Sequence, residues 1–290
     1  MSLNRKQLAT TAMMKALQIR KQLGHTLWEP VCVYDVAARL GVEVRFHDIP
    51  SMEGVYCSAA TPTVIISSLR PPGRQAFTCG HELGHHALGH GAQFDELVEQ
   101  RSRARCFEPH EFQADCFASA LLMPKSAINH AFARRGWDPT ACPPTAFYVI
   151  ATWLGVGYTT LVSYMEHTLG LLGTQQTQAL LRHRPMAIRA TLLGRVCPRN
   201  LIVADHHWDG RAIDVHAEDL ILLPPHSRVE GHCVEVVEQD ATRTLAQAVT
   251  PGIGRAVAPG VAWSTYLRVS RRQYVGRGQY RFEEEVEDAE

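Results

Sequence analysis

The stretch Thr78-Cys79-Gly80-His81-Glu82-Leu83-Gly84-His85-His86-Ala87-Leu88-Gly89-His90 constrains this chain more than any other. Within it His81, Glu82 and His85 form H-E-x-x-H. Side chains four apart on a helix share a face, so His81 and His85 can aim two imidazoles at one metal ion. Glu82 lies about 100° further round, within reach of a metal-bound water as general base. Zinc suits such a pair. It takes imidazole ligands, and a catalytic zinc uses three protein ligands while leaving one position open to water. It also lowers the pKa of that water to about 7. The motif fixes only three residues, however, and a second element must supply the third ligand.

That element lies downstream. Phe107 to Met123 has a helical pattern, with Pro109 in its first turn and Pro124 just past its end. Glu111 and Asp115 are four apart on it and share a face. Glu111 can complete a His-His-Glu set, one Zn2+ per chain. Asp115 can accept a hydrogen bond from the free N–H of a ligating imidazole, fixing its tautomer. The neighbours Phe112, Cys116, Phe117, Ala118 and Leu121-Leu122-Met123 are mostly apolar, so the helix reads as buried, and buried carboxylates need partners. The alternative is a pair of solvated surface acids.

The two motifs together resemble the ImmA/IrrE family of zinc peptidases. The resemblance rests on His81-Glu82-Leu83-Gly84-His85, Leu88-Gly89-His90, the preceding Arg74, Phe77 and Thr78, and Glu111-x-x-Ala114-Asp115-x-Phe117-Ala118-x-x-Leu121-Leu122-Met123-Pro124. It covers roughly residues 1 to 168. Members often have Asn where this chain has Asp115; the Asp resembles the Glu-x-x-x-Asp of thermolysin-like enzymes and suits the supporting role. The resemblance implies a catalytic Glu82, zinc held by His81, His85 and Glu111, and cleavage of a helix-turn-helix repressor, usually encoded nearby, a cleavage that switches on stress, mobile-element or defence genes. Spacing alone shows only a metal site.

Around the motif the pattern predicts an α+β fold, mainly helical with a small antiparallel sheet, like other zincins. Leu8, Ala12, Ala16, Ile19 and Leu23 mark a helix whose Lys6, Lys15, Arg20 and Lys21 read as a solvated face. Tyr34 to Leu40 reads as a second helix and Val42 to Phe46 as a strand. Val55-Tyr56-Cys57 and Thr63 to Ser67 read as a hairpin whose second strand could be an edge for an extended substrate. The motif helix runs from about Arg74 to Leu88, with Gly89 as its stop. His86 and His90 form a rival pair on another face; His90 suits the helix C-terminal dipole. His110 and Tyr56 are candidates to stabilise a developing oxyanion.

Cys106 lies five residues before Glu111, after Arg101, Arg103 and Arg105. Its thiolate could take zinc's open position as an inhibitory ligand. The alternative is a small buried hydrophobe.

Residues 145–169 fit a helix-turn-helix pattern, with Gly155 as the turn glycine and Ile150, Ala151, Leu154, Val156, Leu161 and Tyr164 at the small or apolar positions. The second helix would offer Tyr158, Thr159, Thr160, Val162 and Ser163 to DNA, yet it has no Lys or Arg for phosphates. Packing on the peptidase helices, or recognition of a protein, is the better reading. The peptidase domain is thus placed at 1–170.

Gln175-Gln176-Thr177-Gln178 reads as a linker, although Ala179-Leu180-Leu181 could extend a helix, and 175–290 reads as a mostly-β sensor or regulatory domain of short strands between Gly and Pro breaks. Members of the resembled family often carry a sensor-like domain here, sometimes GAF-like, but no signature of that fold is present. His206, His207 and His216 have no ligand spacing. Arg268, Arg271, Arg272, Tyr274 and Arg277 interleave basic and aromatic residues, the chemistry that holds single-stranded DNA. The alternative is an arginine-rich strand paired with the acids from Glu283 onward.

Composition bounds the remainder. The 290 residues carry 29 basic and 29 acidic side chains, so any contact with nucleic acid or membrane must be local. The 8 cysteines form no C-x-x-C pair, no run approaches the roughly 18 apolar residues of a membrane span, and Met1 to Lys6 lacks a signal-peptide core. The expectation is a cytoplasmic enzyme with reduced thiols and no membrane partner. Two alternatives stand beside it, a DNA-binding regulator with a structural metal and a metallopeptidase toxin of broader specificity.

Overall fold

The computed structural model describes residues 4–91, 93–94, 108–260 and 262–284. The chain divides into two compact units, Met1–Arg184 and Pro185–Glu290.

In the first unit, α1 (Arg5–Gln22) starts at Asn4, whose side chain accepts the Lys6 N–H, and α2 (Val33–Arg39) follows. Next come β1 (Glu43–His47), β2 (Gly54–Cys57) and β3 (Thr63–Ser67), then the motif helix α3 (Pro72–Leu88) and a short β4 (Gln93–Phe94). The remaining helices are α4 (Pro109–Leu122), α5 (Lys125–Arg134), α6 (Pro144–Trp153), α7 (Tyr158–His167) and α8 (Thr174–Leu181). Pro72 sits in the first turn of α3, where its fixed φ helps and no N–H is needed. Gly89 ends the helix in the left-handed conformation at φ 70°.

β2 and β3 pair antiparallel as the hairpin pattern predicts. β1 joins β3 in parallel, so the sheet is mixed. The order is β1-β3-β2-β4. β3 therefore has neighbours on both sides and is not the edge strand expected from sequence; β4 lies beyond β2, pairing with it at Val55 and Tyr56.

The first unit is held by close helix packing. α1 and α3 both pack on α4. Ala12, Ala16 and Ile19 of α1 are buried, as the periodicity predicts. Arg20 is buried as well, at 0% exposure, instead of lying on a solvated face. Its guanidinium donates to the carbonyls of Leu121 at 2.6 Å and Thr26 at 2.7 Å, and to that of Glu29. Those carbonyls replace the water that a buried guanidinium loses. Burial pulls its pKa down to about 10, with the Glu29 carboxylate opposing.

α3 and α4 touch through small residues. A Cβ on Gly84 would lie 3.0 Å from the Cα of Ala114, and one on Gly80 would lie 3.4 Å from the Cβ of Ala118. At the start of α3, a Cβ on Gly73 would lie 2.6 Å from the backbone nitrogen of Gly157, in the turn between α6 and α7. The helix-turn-helix-like pair thus supports the motif helix, and its axes are bent by 101°. Ile150, Ala151, Leu154, Val156, Leu161 and Tyr164 are all buried. So are Tyr158 and Val162, two of the residues that a reading helix would present to bases. The polar stretch Gln175 to Gln178 is no linker: it belongs to α8, which packs on α7, and the Tyr158 hydroxyl donates to the Leu180 carbonyl at 2.9 Å.

The second unit is mostly β. It begins with α9 (Pro185–Leu193) and continues through β5 (Leu201–Val203), β6 (Ala212–His216), β7 (Leu220–Leu223), β8 (Arg228–Glu230), β9 (Val234–Gln239), β10 (Thr244–Ala248), β11 (Gly252–Ala258) and β12 (Trp263–Ser270). These form two four-stranded sheets, β5-β7-β10-β9 and β6-β12-β11-β8. Leu193 of α9 joins Leu201, Leu220, Leu222 and Leu245 in an apolar cluster. Arg243 donates to the Leu192 and Leu193 carbonyls at 2.6 and 3.1 Å, satisfying acceptors that the helix end leaves open. Among the described residues no single helix is long and apolar enough to cross a membrane.

The α3–α4 contact leaves no room for a larger side chain. Gly84→Val will lower the unfolding free energy by about 1–3 kcal/mol, the usual cost of overpacking, as read from denaturant unfolding of the full chain. Wild-type stability would mean that α4 yields freely.

Candidate metal centre

Two helices bring the site together. His81 and His85, one turn apart on α3, are buried at 5% and 0% exposure, and Glu111 projects from the first turn of α4. His81 Nε2 lies 3.1 Å from His85 Nε2 and 3.2 Å from Glu111 Oε2, and His85 Nε2 lies 3.4 Å from Glu111 Oε1. Tetrahedral zinc with bonds of about 2.0–2.1 Å needs donor–donor edges of about 3.3 Å. Two imidazoles and a carboxylate, with one donor atom from each within 4.8 Å of the others, could hold such an ion. They are the one cluster of three His, Cys, Asp or Glu donors suited to a metal among the described residues.

The outward nitrogens are held too. His81 Nδ1–H donates to Asp115 Oδ1 at 2.9 Å, which leaves Nε2 to face the site. The two carboxylates are not both buried, contrary to what the apolar neighbours on α4 suggest: the Asp115 side chain is 60% exposed and that of Glu111 29% exposed. α4 buries its apolar face while its acids line the rim of the site. Burial opposes charging His81, but the hydrogen bonds to Asp115 and Glu111 outweigh it, and the imidazole is pushed up to about 10. Burial, then the neighbouring His81 charge, pulls His85 down to about 4, with Glu111 opposing. A proton on His81 takes the place of a cation among these ligands.

Glu82 is 1% exposed. A Cβ at Gly54 would fall 2.8 Å from Glu82 Oε1 and 2.4 Å from Thr78 Cγ2, so a larger residue on β2 would have to displace the Glu82 and Thr78 side chains. The approach is pinned next door: Glu53 Oε1 accepts from Arg70 Nε and Arg74 Nη2, both at 2.8 Å. Sequence reading missed Gly54, since one glycine opening a strand carries no signal until its neighbour is known.

The other candidates are placed as follows. Tyr56 OH lies 2.9 Å from His86 Nδ1, so His86 is not paired with His90 as a rival ligand set. His110 stacks on His90 with ring centroids 4.2 Å apart. Cys106 lies outside the described residues. In the second unit, Arg268 Nη2 donates to Asp214 Oδ2 at 2.9 Å and its guanidinium lies over the Phe282 ring. Arg272 pairs with Glu218, Arg271 donates to the Glu283 carbonyl at 3.5 Å, and Tyr274 OH donates to the Arg277 carbonyl at 3.0 Å. Arg268 and Arg272 thus carry partners already, which the interleaved pattern did not reveal.

A metal ion held by this cluster would compete with a proton for His81. Between about pH 8 and 6 His81 is protonated and His85 neutral, so each zinc bound would displace one proton. The apparent affinity will fall about tenfold per unit of acidification. Competition with a chromophoric chelator at several pH values measures the slope; a flat profile would show that His81 Nε2 carries no proton.

Residues 37–162 match the model of the IrrE N-terminal-like domain, Peptidase_M78. Comparison with curated proteins gives no match. Among solved structures, a Mycobacterium tuberculosis transcriptional regulator is similar over 54% of this chain and 46% of its own length, at 18% identity and a TM-score of 0.36. This chain thus aligns with less than half of that protein. An IrrE/ImmA-family peptidase domain occupies residues 37–162.

Proposed function

We propose that this chain is a zinc-dependent endopeptidase that cleaves a helix-turn-helix repressor and so derepresses the genes it silences. One observation carries the catalytic part: His81, His85 and Glu111 converge at zinc-ligand separations beside the buried Glu82. When bound, zinc supplies Lewis acidity toward the peptide carbonyl and lowers the pKa of water to about 7. Glu82 then takes the proton of the attacking water and passes it to the leaving amide nitrogen. The tight fit of Gly54 against Glu82 and Thr78 holds that carboxylate in place. Asp115 orients His81 through Nδ1.

The choice of substrate rests on the family domain at 37–162. The alternative of a DNA-binding regulator with a structural metal is less well supported, because α7 buries Tyr158 and Val162 and offers no Lys or Arg. A repressor substrate places the enzyme in the cytoplasm. Single-stranded DNA acting on the second unit is our candidate signal, although Arg268 and Arg272 are committed to Asp214 and Glu218. Cys106 as an inhibitory ligand belongs to the same proposal.

The test incubates the full chain, zinc and the repressor encoded beside it, with and without single-stranded DNA. The expected result is a single cut in the repressor. Glu82→Gln will bind zinc normally and lose cleavage by about 10²-fold or more, the contribution of a positioned general base. Wild-type rates in Glu82→Gln would refute the role of Glu82; equal cutting of unrelated proteins would indicate a broad-specificity toxin instead.

A further inference from the structure

The two imidazoles of the metal centre are supported differently. His81 has a carboxylate behind it. His85 has another histidine: its Nδ1 lies 3.2 Å from His90 Nδ1, while its Nε2 faces His81 and Glu111. His90 therefore sits on the far side of the ring from the ligand cluster and is no fourth donor.

The chain reaches this arrangement through the helix stop. Gly89 turns left-handed at φ 70°, and the His90 N–H donates back to the His85 carbonyl at 3.0 Å. Nothing crowds a Cβ at Gly89, so its glycine answers to the backbone angle and not to space. The turn brings the His90 ring under that of His85, with centroids 5.1 Å apart and planes at 73°. His110, next to Glu111 on α4, stacks on the other side of His90 at 13°. The His90 ring is thus held between the two helices that carry the ligands.

An imidazole offers a metal one nitrogen lone pair, and its proton must sit on the other nitrogen. With His85 Nε2 facing the site, the proton belongs on Nδ1. The group it meets there is His90 Nδ1, which accepts only when the His90 proton is on Nε2. We propose that His90 is a positioning residue, whose Nδ1 accepts the His85 Nδ1–H and fixes the tautomer and ring orientation in which His85 can ligate. The proposal rests on the zinc reading of the site. Partners of this kind are worth about 10–100-fold in metal affinity.

Two variants of the full chain separate the hydrogen bond from the packing. His90→Phe keeps an aromatic ring against His110 and removes the acceptor. His90→Asn loses the ring and puts an amide oxygen where Nδ1 stood. Zinc affinity by chelator competition is expected to fall about 10–100-fold in His90→Phe and to recover most of that loss in His90→Asn. Long-range 15N–1H spectra of the zinc-loaded protein should show His85 protonated at Nδ1 in the wild type and in His90→Asn. Wild-type affinity in His90→Phe overturns the proposal, as does His90→Asn binding as weakly as His90→Phe. A wild type that takes up no zinc overturns the metal reading and this proposal with it; uptake of one zinc with affinities indifferent to position 90 overturns this proposal alone.

Discussion

The site depends on how closely α3 and α4 approach. Gly80 and Gly84 face Ala118 and Ala114 across the contact, four apart on each helix, and each lies beside a residue of the metal centre. Gly80 precedes His81 and Gly84 precedes His85; Ala114 and Ala118 follow Glu111 and Asp115 by three. Small and functional residues therefore run as adjacent stripes, and bringing the small ones together brings the donors within 3.1–3.4 Å of one another. Glycine inside a helix costs about 1 kcal/mol relative to alanine. Arg20 reinforces the assembly from the other side, tying α1 to the last turn of α4 through the Leu121 carbonyl.

That approach sets an electrostatic problem and answers it. Two imidazole nitrogens 3.1 Å apart both need a partner that is not another lone pair. In the metal-free chain a proton on His81 serves, stabilised by Asp115 and Glu111 despite burial. The same carboxylates that favour this proton favour a divalent cation. The cluster thus suits a proton or a divalent cation by the same electrostatics.

Much of this was legible in the sequence because ligand spacing and helix periodicity are local. His81, Glu82 and His85 follow from one turn of helix, Glu111 and Asp115 from another, and Gly89 from the backbone angle a helix stop requires. What escaped is set by neighbours far along the chain. The roles of Gly54 and His90 depend on what stands opposite them. Arg20 looked solvated because its carbonyl partners are not coded in any pattern. β11 gives little signal because its inward residues Gly254, Ala256 and Ala258 are small while Ile253 is 64% exposed, so no large apolar residue marks its buried face. α8 was hidden by its glutamines, since only Thr177 and Leu180 of that helix are buried.

The helix-turn-helix-like segment shows why such a pattern is weak evidence for DNA binding. The apolar positions that define it, from Ile150 to Tyr164, describe how two short helices pack across a tight turn, and they are buried as that requires. Reading DNA needs something else, an exposed second helix with cations for phosphates. Here Tyr158 spends its hydroxyl on the Leu180 carbonyl, Val162 is buried at 0% exposure, and α8 packs on the helix that would enter a groove. The turn between the helices is instead in contact with Gly73, at the first turn of the motif helix. The segment keeps the geometry of the motif and uses it as a wedge under α3, so its constraint is on the placement of His81 and His85, not on a base sequence.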